Sequence, residues 1–198
     1  MKKFVRSLNA QEMQNIEEGF DKAFPGRSTM ILHEKSSKWI HVDLEIMKPE
    51  TCEDNSYVIY TLGMSNTLMP NGTRCEIFLK VDKEMFTRDI ADVSGIPVAE
   101  TINQDYSYLI YDLFSIARMP FADKDDYNNL ETILTNDRYY ALNEIFTIEN
   151  PTANKSTKAF YLVPLTKKDA DIYNSIYDSE DKIRFLNERM VPIKKEII

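Results

Sequence analysis

The side chains with most chemical promise lie in two short segments. His41-Val42-Asp43 sets an imidazole and a carboxylate two positions apart, and Gly63-Met64-Ser65 has the form of the first half of a G-x-S-x-G nucleophile elbow. Together they offer the parts of a small serine hydrolase, with Ser65 as nucleophile, His41 as base and Asp43 as the orienting carboxylate. Three features oppose that reading. Thr67 stands where the elbow's second glycine permits close strand–helix packing. The residues after Ser65, from Asn66 to Gly72, do not open a helix. An extended strand also sets His41 and Asp43 about 7 Å apart on one face, beyond a direct bond. The expectation is a chain without catalytic residues, in which Gly63 permits a turn, Ser65 bonds backbone, and His41 and Asp43 serve the structure.

Metal and cofactor chemistry find no better footing. His33, His41, Cys52 and Cys75 supply two imidazoles and two thiols, but zinc sites take ligands in close pairs such as C-x-x-C, and here the nearest pair is eight residues apart. The run Asp123-Lys124-Asp125-Asp126 opens like a calcium loop. Tyr127 then falls at the third ligand position, Asn128 at the glycine and Leu134 where a bidentate glutamate belongs. The glycines at 19, 26, 63, 72 and 95 compose no phosphate-cradling G-x-G-x-x-G or G-x-x-x-x-G-K loop. No metal ion or cofactor is expected.

Charge narrows the partners. The 198 residues carry 24 Lys and Arg against 32 Asp and Glu, a formal net charge of −8. Such a chain is repelled by phosphate backbones and anionic lipid, which speaks against nucleic acid and membrane surfaces. Two acidic clusters stand out: Asp43, Glu45, Glu50, Glu53 and Asp54, and, near the C-terminus, Asp169, Asp171, Asp178, Glu180 and Asp181. Acidic clusters are ordinarily solvated faces; a functional one would steer a basic protein partner. The eleven tyrosines suit an interface too, although most fit half-buried positions. Two cysteines suit a reducing cytoplasm. Arg6 and Asn9 interrupt any apolar leader in MKKFVRSLNA. The longest apolar run, 159–165, contains Pro164 and falls far short of the roughly 20 residues that span a bilayer.

These side chains need a scaffold, and its periods are legible. Met13, Ile16, Phe20 and Phe24 recur at helical spacing over 9–24, with Asn9 as N-cap and Pro25-Gly26 as the stop. Over 39–46, Ile40, Val42, Leu44 and Ile46 point one way, and Trp39, His41, Asp43 and Glu45 the other, which predicts a strand. Residues 57–62 and 75–81 predict two more strands around a turn at Pro70-Asn71-Gly72. A short helix is placed near Lys83 to Arg88 in the otherwise irregular 82–104. Leu109, Leu113 and Ile116 stripe a helix over 105–118, ended by Met119-Pro120. Short strands follow near 131–135, 143–148 and 158–163. Thr166 to Asp169 forms a capping box for a helix reaching Tyr177, and Ser179 caps a last helix with Ile183, Leu186 and Met190 on one face. The sum is one α+β domain over 1–198, a mixed, mostly antiparallel sheet flanked by helices.

Five segments in order carry a family resemblance: His41-Val42-Asp43; Thr61-Leu62-Gly63-Met64-Ser65 with Met69-Pro70; Ile116-Ala117-Arg118-Met119-Pro120; Thr132-Ile133-Leu134-Thr135-Asn136; and Tyr161 to Thr166. Over about residues 30–190 the chain resembles the suppressor of fused domain family. It departs from that pattern at Glu131, Thr135 and Asp137, where the family has His, Pro and Gly. The resemblance implies a binding domain rather than an enzyme, with His41, Asp43, Gly63, Met64, Ser65, Arg118 and Pro120 as structural motif residues. Animal relatives grip transcription factors and hold them inactive. Single-domain bacterial relatives are thought of as immunity proteins that neutralise polymorphic toxins, and the chain resembles that kind. A basic toxin domain would then be the partner, met by Asp169, Asp171, Asp178, Glu180 and Asp181. A regulatory adaptor with another protein partner is the alternative.

Overall fold

The computed structural model describes residues 9–33, 40–49, 56–69, 71–88, 98–122, 132–150 and 155–190. The first helix, α1 (Ala10–Ala23), starts where Asn9 and Glu12 bond each other's backbone N–H in a capping box. Its apolar stripe buries Ile16 and Phe20. Strand β1 (Gly26–Leu32) follows at once, a strand that the sequence reading did not anticipate. Next come β2 (Asp43–Pro49), β3 (Ser56–Leu62) and β4 (Cys75–Asp82). The short helix α2 (Val98–Thr101) and a 3-10 turn at Gln104–Tyr106 lead into α3 (Ser107–Ala122). Then β5 (Ile133–Thr135), β6 (Arg138–Asn150) and β7 (Lys155–Leu165) precede α4 (Lys167–Ser175) and α5 (Ser179–Asn187).

The strands form one sheet in the order β1-β2-β3-β4-β7-β6-β5. Every neighbouring pair is antiparallel except β4 and β7, which run parallel from Cys75↔Lys158 to Phe78↔Tyr161. An N-terminal meander and a C-terminal hairpin system are thus sewn together at the middle. Both faces of the sheet are covered. On one, α3 sets Leu109, Leu113, Ile116 and Phe121 against Leu44, Ile59, Leu79 and Leu162. On the other, α1, α4 and α5 set Ile16, Phe20, Ala170, Tyr173 and Leu186 against Met47, Tyr60, Phe78 and Val163. Phe20 stacks on Tyr60 with ring centroids 4.0 Å apart. Burial on both faces explains why β3 and β4 read as nearly continuous apolar runs rather than as alternation. The fold is α+β, a single domain, as its periods indicate.

Boundaries moved in physically instructive ways. Ile40 and Val42 are buried with Leu44 and Ile46, as expected, but β2 begins only at Asp43 and runs on to Pro49. Pro120 does not end α3, which continues to Ala122. A proline in the last turn removes one N–H, and the burial of Ile116, Ala117 and Phe121 holds the helix through it. The strand expected at 143–148 is the centre of the 13-residue β6, which also takes in the buried Tyr140, Ala141 and Leu142 on its N-terminal side. The helix expected near Lys83 is a single 3-10 turn, Lys83–Met85. Helix α4 stops at Ser175, short of Tyr177. In α5 the cap is Asp178 rather than Ser179, Ile183 is 51% exposed, and Met190 lies beyond the last turn. Trp39, Glu50, Cys52, Glu53, Asp54 and the run 123–126 lie outside the described residues.

Candidate functional site

The first two motif segments meet at one end of the sheet, where β2 starts, β3 ends and β4 starts. Asp43 pairs with Leu62 across β2 and β3, which brings His41-Val42 alongside the turn after β3. That turn needs Gly63. Its φ is +122°, and a Cβ there would lie 2.5 Å from the His41 carbonyl oxygen. Met64–Asn66 then makes one 3-10 turn, closed by the Asn66 amide on the Gly63 carbonyl, and the amides of Gly63, Met64 and Ser65 point inward.

What they point at is Glu76, a fully buried carboxylate on β4. It accepts five hydrogen bonds: from Thr61 Oγ1 (2.6 Å), from the amides of Gly63 (3.1 Å), Met64 (3.2 Å) and Ser65 (2.9 Å), and from Ser65 Oγ (2.6 Å). Burial raises its carboxyl above the ordinary value, and the bonds from Ser65, Thr61 and Gly63 pull it back down. Arg74 closes the outside of the turn by donating to the Ser65 carbonyl at 2.6 Å. The Thr61 to Ser65 motif is therefore a cradle for a carboxylate of the protein itself. Ser65 was expected to bond backbone; its hydroxyl instead donates to Glu76.

The histidines hold a second carboxylate. His33 Nδ1 lies 3.0 Å from Asp43 Oδ2 and His41 Nε2 lies 3.2 Å from Asp43 Oδ1. The direct contact that an extended strand was expected to forbid does form; His41 precedes β2 and is not held in its ladder. Asp43 is 6% exposed and Glu45 3%, so these two members of the first acidic cluster are buried and present no acidic face.

A third buried carboxylate joins the later motifs. Asp112 on α3 is fully buried and accepts from Tyr140 (2.6 Å), from Arg138 (3.5 Å) and from Asn136 in the β5–β6 turn. Asn136 and Asp137 hold φ of 47° and 62°, the left-handed pair of a tight hairpin turn that Asn and Asp tolerate. Arg138 stacks over Tyr108 at 4.0 Å, and burial pushes the Tyr108 hydroxyl up to about 12. Arg118 donates to the Phe114 carbonyl within its own helix, and Pro120 is buried beside the core. Sequence reasoning missed Glu76 and Asp112. Each is a lone acid inside an apolar strand or helix stripe, and that is the signal that marks them.

The C-terminal acids are spread over α4 and α5. Asp169 bonds Thr166 and Arg189, and the Thr166 hydrogen bond, then Arg189, hold its carboxyl below the ordinary value. Asp178 caps α5, and Asp181 pairs with Arg184. Asp171 and Glu180 are exposed. A shallow cleft lined by Ile176, Tyr177, Asp178, Asp181, Arg184, Phe185 and Glu188 lies along α5 and the link that leads into it. Among the described residues no group of three His, Cys, Asp or Glu side chains is placed to hold a metal ion. No described helix is long and apolar enough to cross a membrane.

No protein-family model matches the chain, and no curated protein matches it by sequence. Among solved structures, the chain is similar to one described as the Sufu–Fu complex crystal structure. The likeness has a TM-score of 0.58 at 9% identity and covers 91% of this chain and 88% of that one. At that identity the likeness is one of fold alone: the chain shares the architecture of the matched chain of that suppressor of fused (Sufu) complex over most of its length.

Proposed function

We propose that the chain is a non-catalytic protein-binding domain that works by forming a stoichiometric complex in the cytoplasm, and that the protein it grips is a toxin it neutralises. The observation that carries the binding reading is the fold likeness to a protein solved in complex with a partner. The inward use of the motif residues supports it. Ser65, His41 and Asp43, which a hydrolase would present to substrate, are bonded to Glu76 and to one another. On this reading the exposed acids of α4 and α5, Asp171, Asp178, Glu180 and Asp181, with Asp169, are what a basic partner meets, and Asp178 and Asp181 line the cleft beside α5.

The test is affinity capture of partners from the native host, followed by reconstitution and a measured mass for the complex. A captured protein that arrests growth when expressed alone, and is silenced by co-expression, supports neutralisation. A partner without toxicity removes the toxin and leaves an adaptor. Ester hydrolysis abolished by Ser65→Ala would overturn the binding reading in favour of a hydrolase.

A further inference from the structure

Three sulfur atoms converge beneath the Glu76 cradle. Cys75 opens β4, Met64 lies in the 3-10 turn after β3, and Met69 lies in the loop between them. Cys75 Sγ is 2.7 Å from Met69 Sδ and 3.9 Å from Met64 Sδ. All three residues are buried, at 0%, 2% and 0% exposure for Cys75, Met69 and Met64. We infer that Cys75, Met64 and Met69 form a binding site for a soft monovalent metal ion of the Cu(I) or Ag(I) class.

The donor set selects that class. One thiolate and two thioethers are soft ligands, which favour Cu(I) over the hard and borderline divalent ions. The charge agrees. A thiolate with a monovalent cation is neutral, and a neutral complex is the one a dry interior tolerates. A divalent ion would leave a net charge there, and the nearest carboxylate, Glu76, already accepts five hydrogen bonds. One of the two spacings agrees as well. Two sulfurs each about 2.3 Å from one ion stand roughly 4 Å apart at a trigonal angle, close to the 3.9 Å between Cys75 and Met64. Met69 has to draw back by about an ångström, which an unbranched side chain with three rotatable bonds does readily. It also lies on the entry side: the neighbouring Leu68 is 50% exposed.

The exchange is balanced without a redox step. The Cys75 S–H bond breaks, its proton leaves to solvent, and the sulfur's electron pair passes to the metal. Because binding releases a proton, occupancy falls as the solution is acidified.

The experiment uses the full chain carrying Cys52→Ser, which removes the other thiol. The reduced protein is titrated with Ag(I) in chloride-free buffer by calorimetry, and with Cu(I) in competition with a chromogenic chelator. One ion per chain, with a raised melting temperature, is expected. Cys75→Ser in that background removes the binding. Met64→Leu and Met69→Leu keep size and burial but each removes a ligand, so each weakens affinity by at least the roughly tenfold that loss of an outer-shell partner costs. They carry the test if the serine variant does not fold. Binding that needs Cys52, that both leucine variants leave unchanged, or that Zn(II) matches in affinity overturns the assignment.

Discussion

Replacing Glu76 tests whether the turn after β3 is organised around a buried anion. In Glu76→Gln one oxygen becomes an NH2 group of the same size. At the Oε2 position the new donor faces the Met64 amide, now 3.2 Å away, while Thr61 can turn its hydroxyl to the Ile77 carbonyl at 3.3 Å. One backbone N–H is then left buried without an acceptor, which costs about 1–3 kcal/mol. The bonds from Gly63 and Ser65 also lose their charge assistance, which roughly halves their strength. The expected loss at pH 7 is about 2–4 kcal/mol. Glu76→Ala strands all three amides, so its loss is about 3–9 kcal/mol, nearer the lower figure if water enters the vacated space. Against a typical domain stability of about 5–15 kcal/mol, the alanine variant is close to unfolding. Urea titration followed by circular dichroism and by Trp and Tyr fluorescence measures both. A midpoint shift worth less than about 0.5 kcal/mol for the glutamine variant, at unchanged slope, would show that the five bonds do not organise the turn.

Three further outcomes are expected. Gly63→Ala forces a side chain into a left-handed backbone against the His41 carbonyl and should cost about 2–4 kcal/mol in the same assay; full retention of stability would mean the turn has another shape. Leu44→Ala should cost roughly 2–5 kcal/mol, because Leu44 is wholly buried under α3; a loss under about 0.5 kcal/mol would contradict that packing. Stability should rise as pH falls from 7 toward about 4.5. Burial and the Glu45 charge raise the Glu17 carboxyl, burial and Glu18 raise Asp21, and burial raises Glu76. Groups so raised bind more protons when folded, so their contribution grows through the window between folded and unfolded values. Asp169 acts oppositely, but only below its ordinary 3.8. A urea midpoint that falls steadily between pH 7 and 4.5 would refute the sign.

Periodic elements were legible because each had one polar face or a cap: α1 through Asn9 and Glu12, α4 through Thr166, β2 through Leu44 and Ile46. Strand β1 was not, because Gly26 to Thr29 carries no alternation and its pairing with β2 is set by a bulge between Ser28 and Met30. The parallel union of β4 and β7 depends on residues more than seventy positions apart, which no local pattern encodes. The site was half legible. Gly63-Met64-Ser65 stood out as a motif, but the carboxylate it encloses comes from another strand, and one glutamate among apolar neighbours carries no label for its partners. The His41–Asp43 contact was misjudged because strand geometry was applied to residues that precede the strand.

The seat of α1 has a consequence for synthesis on the ribosome. Phe20 rests on Tyr60 and Phe78 from the N-terminal meander, but it also meets Phe146, and Gly19 lies so close to Ile148 that a Cβ would come within 2.7 Å of it. Ile148 follows Phe20 by 128 residues. At about 5–20 residues per second the helix waits roughly 6–26 s for that half of its seat. Throughout that interval Ile16 and Phe20 lack part of their cover, and the sticky stripe of the first helix made is completed only by one of the last strands. A nascent chain stalled before β6 should therefore be held by chaperones that bind apolar segments, whereas one released after β7 should not.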